Sequence, residues 1–181
     1  MSIKIEKIRV KKIPKKYVDL MNKERKRKYG SKKPMDFKKE DKNGVFFFVK
    51  NNKKIMAFGM LKPVKVEYLG KQYNILGMGR GMAIKKGVGY GRILNNARIK
   101  YASEKGKSVL AFTDRKNIGF FKKVGFKISK DLIKRFRYKN PETGKIIYDP
   151  DGDGVYLEGK DKLISKMLKT KEIAYIEIPF W

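Results

Sequence analysis

Lys86-Gly87-Val88-Gly89-Tyr90-Gly91-Arg92 lies between an apolar run that reads as a strand and an amphipathic stretch that ends near Gly106. Glycines at 87, 89 and 91 reach backbone angles closed to other residues and let a ligand come close to the main chain. The first turn of a helix leaves its N–H groups without partners, and the helix dipole adds positive potential there. Such a turn is a site for phosphate. Lys86 and Arg92 add charge at its rim. The stretch lacks the Gly-Lys-Ser/Thr ending of a P-loop and the full dinucleotide-binding spacing, so nucleotide hydrolysis and a Rossmann site are unsupported. A glycine turn that joins strand to helix and binds nothing carries the same local signature.

The neighbouring pattern extends the reading. From Gly91 to Lys105, Ile93, Leu94, Ala97, Tyr101 and Ala102 recur at helical spacing, with Arg92, Arg98, Lys100 and Lys105 between them, and Gly106 is a helix stop. Ser108 to Thr113 reads as a short buried strand, and Asn117 to Val124 as a short helix before Gly125-Phe126. Upstream, Lys53 to Met60 reads as one strand, Val64 to Leu69 as a second beyond Pro63, and Asn74 to Ile84 as the strand that enters the glycine turn.

In this order the residues resemble the GNAT superfamily of N-acetyltransferases, whose acetyl-CoA signature is Q/R-x-x-G-x-G/A. Lys86-Gly87-Val88-Gly89-Tyr90-Gly91 matches it with Lys in the Gln/Arg place. Phe121-Lys122-Lys123-Val124-Gly125-Phe126 is similar to a later element, Tyr-x-x-x-Gly-aromatic, with Phe in the Tyr place. The resemblance implies one α/β domain over residues 1–181, with a mixed, mostly antiparallel central sheet flanked by helices. It implies acetyl-CoA held by Met82, Ala83 and Ile84, by Lys86, Gly87, Val88, Gly89, Tyr90, Gly91 and Arg92, and by Asn117 and Phe121, with acetyl transfer to a primary amine. Asp149 to Leu157 and Ile176 to Trp181 resemble the carboxy-terminal region of aminoglycoside 2'-N-acetyltransferases.

The chain also departs from the family pattern. In many members the Tyr of the second element protonates the departing CoA thiolate, and Phe121 has no proton to give. Positioning and polarisation of the thioester contribute independently, and water or another Tyr is left to serve. Arg80 stands where the aminoglycoside branch places an acidic residue facing its substrate. These departures admit altered chemistry, a different acceptor or lost activity.

The chain contains no His, the usual base near neutral pH. Candidate bases are Glu67, Asp114, the group Asp149, Asp151 and Asp153, and the Trp181 carboxylate. The last follows from a loose resemblance of the tail to the enhanced intracellular survival family, in which the terminal carboxylate serves as base. Each taken singly also reads as a solvated surface carboxylate. Asp149, Asp151 and Asp153 form the densest acidic cluster and are expected to line any amine-binding pocket. Their spacing opens like an EF-hand loop, but Lys160 stands in the place of its final Glu and no helix precedes Asp149. A polar turn between strands Ile146 to Tyr148 and Val155 to Leu157 is expected there, without a metal.

A length of 181 residues suits one domain, and zero Cys excludes disulfides, thiolate metal sites and a Cys nucleophile. No apolar run reaches transmembrane length, and Met1 to Val10 alternates like a strand instead of a signal peptide, so a cytoplasmic protein is expected. The net charge is +29, and between Lys11 and Glu40 there are 13 basic residues against four acidic. Such a surface attracts polyanions, which makes a nucleic-acid-binding or nucleic-acid-modifying protein on the same fold the alternative function. The same charge repels a polycationic drug at long range. Only nine of the basic residues are Arg, and the Lys-rich remainder, with abundant Ile, Asn, Tyr and Phe, is also what an AT-rich genome encodes without selection for binding.

The remaining pattern predicts a helix from Pro14 to Lys28 and a mobile, Lys-rich loop from Gly30 to Asn43. It predicts a strand from Gly44 to Lys50 whose aromatics are core, and another within Phe126 to Tyr138. A helix from Asp161 to Lys171 and a closing strand from Glu172 to Pro179 complete it.

Overall fold

In the first unit, Val45-Phe46-Phe47-Phe48-Val49 sets the core, because every residue from Phe46 to Val49 is buried. A strand covered on both faces reads as a continuous apolar run. A computed structural model describes residues 2–30, 32–148 and 152–179. The chain divides into two compact units, Met1–Lys62 with Arg80–Arg98, and Pro63–Gly79 with Ile99–Trp181. None of the helices among the described residues is long and apolar enough to cross a membrane.

The first unit holds β1 (Ile3–Arg9), β2 (Val45–Asn51), the first part of β3 (Lys54–Tyr68) and the end of β4 (Lys71–Ala83). β1 runs antiparallel to β2, and β2 antiparallel to β3. Phe46 and Phe48 stack at 5.9 Å between ring centres, and Tyr17 meets Phe48 edge-on at 4.8 Å. These aromatics are core, as the sequence implies. Helix α1 (Lys15–Tyr29) follows Pro14, buries Tyr17 and Met21, and stops at Gly30, whose φ of 66° is the left-handed helix terminator.

The stretch from Gly30 to Asn43 is not a plain loop. Helix α2 (Phe37–Glu40) forms in it, with the Asp36 carboxylate accepting from the Lys38 and Lys39 amides, and Phe37 is buried against Phe46. An Asp cap before a lone aromatic is a helix-start signal that the surrounding lysines masked.

The second unit orders its strands β6-β9-β5-β4-β3-β10-β7-β8, adding β5 (Val109–Thr113), β6 (Lys127–Ser129), β7 (Phe136–Lys139), β8 (Ile146–Ile147), β9 (Asp153–Leu157) and β10 (Ala174–Ile176). β4 with β5 and β10 with β7 are parallel, whereas β5 with β9, β6 with β9, β10 with β3 and β7 with β8 are antiparallel. The class is therefore α/β with a mixed, mostly antiparallel sheet. Helices α3 (Tyr90–Glu104), α4 (Ile118–Lys123) and α5 (Leu163–Leu168) complete the elements.

Three boundaries differ from expectation. β3 runs unbroken through Pro63, because that residue lies between Leu61, the last paired with β2, and Val66, the first paired with β10. Neither the β2 nor the β10 ladder includes Pro63, so neither asks it for an N–H. The strand expected within Phe126 to Tyr138 is two strands around a 3-10 turn, Leu132–Arg135. Leu132 and Ile133 are both buried, and a turn can direct successive side chains inward where a strand alternates them. The strands near Ile146 and Val155 do not pair with each other, since β8 joins β7 whereas β9 lies between β5 and β6.

Two polar clusters fix the units internally. In the first, the Tyr17 hydroxyl donates to Glu6 at 2.8 Å and Lys50 Nζ reaches Glu6 at 3.2 Å. Burial raises the Glu6 pKa, but the hydrogen bonds from Tyr17 and Lys50, with the nearby charges of Lys50 and Lys4, together outweigh it and hold the carboxyl below its ordinary range. In the second, the Ser108 hydroxyl donates to Asp161 at 2.6 Å, and Asp161 and Glu158 accept from the Leu163, Ile164 and Ser165 amides at the start of α5. Gly159 crosses so close to Lys107 and Ser108 that a Cβ would overlap their backbone.

Gly159→Ala should therefore destabilise the protein by about 3 kcal/mol through overpacking. Gly119→Ala, at a helical site with open space, should be neutral or mildly stabilising, and urea unfolding midpoints compare them. For Glu6, a lowered folded pKa means stability that is present above pH 4.5 and lost as pH falls through the folded value. Glu6→Gln should cost under about 1 kcal/mol at pH 7, given the pair's exposure, and that cost should vanish on acidification. Paired urea titrations at neutral and acid pH measure the convergence.

Candidate cofactor-binding turn

β4 ends at Ala83, and the Ile84 amide still donates to Met56 O at 2.9 Å. Arg27 Nη2 donates to Ile84 O at 3.2 Å, so α1 holds the point where the chain leaves the strand. Lys85, Lys86, Gly87, Val88 and Gly89 are then all exposed. Gly87 and Gly89 have φ of 78° and 85°, and a Cβ on either would meet nothing within 4 Å. Backbone angle, not crowding, calls for glycine here, and the same openness leaves the main chain accessible.

The first hydrogen bonds of α3 run from Arg92 and Ile93 N–H to Gly89 O. The Tyr90 and Gly91 amides before them have no acceptor within the helix, and the dipole of a 15-residue helix acts at the same place. With Lys85, Lys86 and Arg92 exposed beside it, the turn has the attributes of a phosphate cradle.

The helix start is anchored from below. The Tyr90 hydroxyl, buried, accepts from Asn51 Nδ2 at 3.0 Å, and Asn95 Nδ2 donates to Gly91 O at 2.9 Å. Arg98 Nη2 in turn donates to Asn95 Oδ1 at 2.5 Å. Arg98, read from sequence as one of the polar residues between the helix's apolar positions, is only 3% exposed. It fits because β3 and β4 present glycines: a Cβ on Gly59 would come 2.8 Å from Arg98 Nη1, and one on Gly81 3.3 Å from Nη2. Burial pushes the Arg98 pKa down to about 9. Mid-strand glycines were the available signal for this guanidinium.

Arg80 has φ of 55°, a left-handed conformation unusual for a side-chain-bearing residue. Its Nε donates to Asp41 Oδ2 at 3.0 Å and its Nη2 to Oδ1 at 3.3 Å, with Glu40 at 3.6 Å. Lys62 Nζ also donates to Asp41 Oδ1, at 3.3 Å, and Asp41 is fully buried. Burial pushes the Lys62 pKa down while Asp41 pulls it back up. Residues Glu40 and Asp41 thus counter the charge of Arg80, which the sequence shows only as an isolated departure.

The other site candidates lie in the second unit. Glu67 is exposed on β3, opposite Tyr175 of β10. Asp114 is exposed after β5 and pairs with Lys116 at 2.8 Å, while Asn117 Nδ2 donates to Thr113 Oγ1 at 3.1 Å. Phe121 is half-buried, edge-on to Phe120 and Phe126. Asp153, 3% exposed, accepts from the Asp131 amide at 2.9 Å and opposes Thr113 in register, which brings it near the Asp114 turn. Asp149, Asp151 and Trp181 lie outside the described residues.

No family model matches the chain, and no curated protein is similar to it in sequence. Solved structures share its fold. An acetyltransferase from Desulfovibrio desulfuricans ascribed to the GNAT family aligns with a TM-score of 0.59 at 12% identity, over 87% of this chain and 99% of that one. Escherichia coli ElaA aligns at 0.58 and 11% identity, over 87% and 100%. The PaiA N-acetyltransferase of Thermoplasma acidophilum, in complex with coenzyme A, aligns at 0.55 and 14% identity, over 87% and 99%. These likenesses show a shared fold and do not reach the narrower aminoglycoside branch.

Asp41→Asn leaves two cations facing a neutral amide in a buried setting, and should cost about 3 kcal/mol. Urea unfolding at neutral pH measures the loss, and Glu40→Gln, at an exposed position, should cost under about 1 kcal/mol.

Proposed function

We propose that this chain is an acetyl-CoA-dependent N-acetyltransferase acting on a primary amine. The observation that carries the reading is the open Gly87-Val88-Gly89 backbone at the N-terminus of α3, directly after β4, in a fold shared with N-acetyltransferases. The residues fit the cofactor: the Tyr90 and Gly91 amides, with Lys85, Lys86 and Arg92, would hold its phosphates, and Met82, Ala83 and Ile84 the strand end beside them. Asn117 and Phe121 complete the proposed set.

Bound acetyl-CoA supplies the acetyl group as a thioester, which the acceptor amine takes directly without a covalent enzyme intermediate. The chain's own task is to orient the amine and remove its proton. With no His present, the proposed bases are the exposed carboxylates of Glu67 and Asp114 and the Trp181 carboxylate. Phe121 offers no proton, so the leaving thiolate draws one from water or from another Tyr. Asp149, Asp151 and Asp153 are the proposed contacts for the amine, and of these Asp153 is buried and accepts from the Asp131 amide.

Gly91→Asp tests the reading. An acidic residue in the first turn favours the helix but repels a phosphate at the same place. The variant should melt at or above the wild-type temperature and bind acetyl-CoA at least about tenfold more weakly by calorimetry, a loss of roughly 1.4 kcal/mol. Absence of saturable acetyl-CoA binding by the wild type would overturn the proposal.

A further inference from the structure

We propose that the solvent face of α1 is a docking surface for the phosphate backbone of duplex nucleic acid, independent of the acetyl-CoA reading. At about 100° per residue, Lys15, Lys16, Asp19, Lys23, Lys26 and Arg27 share about 120° of arc over roughly 18 Å. All six are exposed, while Tyr17, Met21 and Glu24 turn to the core.

Most of the charge on this face is uncompensated, with Asp19 alone set against its lysines, because the other nearby acids are committed elsewhere. Glu24 is buried and pairs with Arg27, Asp36 caps α2, and Glu40 pairs with Arg80. Of the four acidic residues between Lys11 and Glu40, only Asp19 is left. Twelve of the 13 basic residues there meet no carboxylate among the described residues. The α-helix dipole gains from cations only in the last turn, where Lys26, Arg27 and Lys28 already stand, so it does not account for Lys15, Lys16 and Lys23.

A membrane surface is the poorer match. The helix's apolar side chains Tyr17 and Met21 are in the core, which leaves no face to insert, and Tyr29, 61% exposed, stands alone at the end. Lysine point charges without bidentate geometry suit phosphates irrespective of base sequence.

The test is fluorescence anisotropy with a labelled duplex of about 24 base pairs, DNA in one arm and RNA in the other, from about 50 to 200 mM KCl. The stripe variant is Lys15→Gln, Lys16→Gln, Lys23→Gln, Lys26→Gln, which keeps helix propensity nearly constant. A charge-matched control replaces the exposed Lys71, Lys100, Lys139 and Lys145 with Gln. The stripe variant should lose at least about tenfold in affinity and up to roughly 3 to 4 in log–log salt slope, at about 0.9 per phosphate contact. The control should stay within about threefold of wild type, and Asp19→Lys, which completes the stripe, should tighten binding. No duplex binding by wild type, or equal losses in stripe variant and control, would overturn the proposal, as would stripe-dependent capture by phosphatidylserine/phosphatidylcholine vesicles that matches or exceeds duplex binding.

Discussion

A guanidinium enclosed in the first unit governs how the glycine turn is presented. Arg98 enters between Gly59 and Gly81 and holds Asn95, and Asn95 holds the carbonyl of Gly91 in the first turn of α3. Taking a cation out of water is costly, and its pKa of about 9 registers that cost. The arrangement persists because two strands give up side chains at the point of contact. One buried charge thereby ties the helix start to the strands beneath it, and the exposed main chain between Ile84 and Tyr90 is held at both ends.

Charge is also sorted by depth in this unit. Asp41 is enclosed with Lys62 and Arg80, and Glu24 is buried beside Arg27, whereas Lys15, Lys16, Lys23 and Lys26 face solvent. Among the described residues of this unit the buried acids, Glu24 and Asp41, are matched in number by the buried bases Lys62 and Arg98, so the excess of positive charge stands at the surface.

The parts legible in the sequence are those whose physics is local. Left-handed angles at Gly87 and Gly89, the Pro14 and Gly30 limits of α1 and the buried run of β2 depend on neighbours a few residues away. Pro63 misleads because its effect on β3 depends on which strand lies alongside, and that partner changes at this residue. Leu132 and Ile133 do not announce a 3-10 turn, because adjacent apolar residues suit a buried strand equally well. In the site, the glycine turn was readable, but the roles of Arg98, Asp41 and Lys62 were not, since a charged residue's burial is decided by distant partners. Asp153 is likewise recognisable as a carboxylate, but its engagement by the Asp131 amide follows from a turn formed 22 residues away.

β10 sits between β3 and β7, and Ile176 pairs with Val66, 110 residues earlier in the chain. During synthesis, the latter half of β3 emerges long before the strand that covers its edge. Closing so long a loop is slow, and until it closes the edges of β3 and β7 that β10 will cover stand open in the second unit. Open strand edges are templates for pairing with other chains. The alternation of Lys65 and Glu67 with Val64, Val66 and Tyr68 keeps one face of that waiting strand charged. The pattern that gives the finished strand its solvent face also sets charge beside the edge that waits for β10, where charged side chains disfavour pairing with another chain.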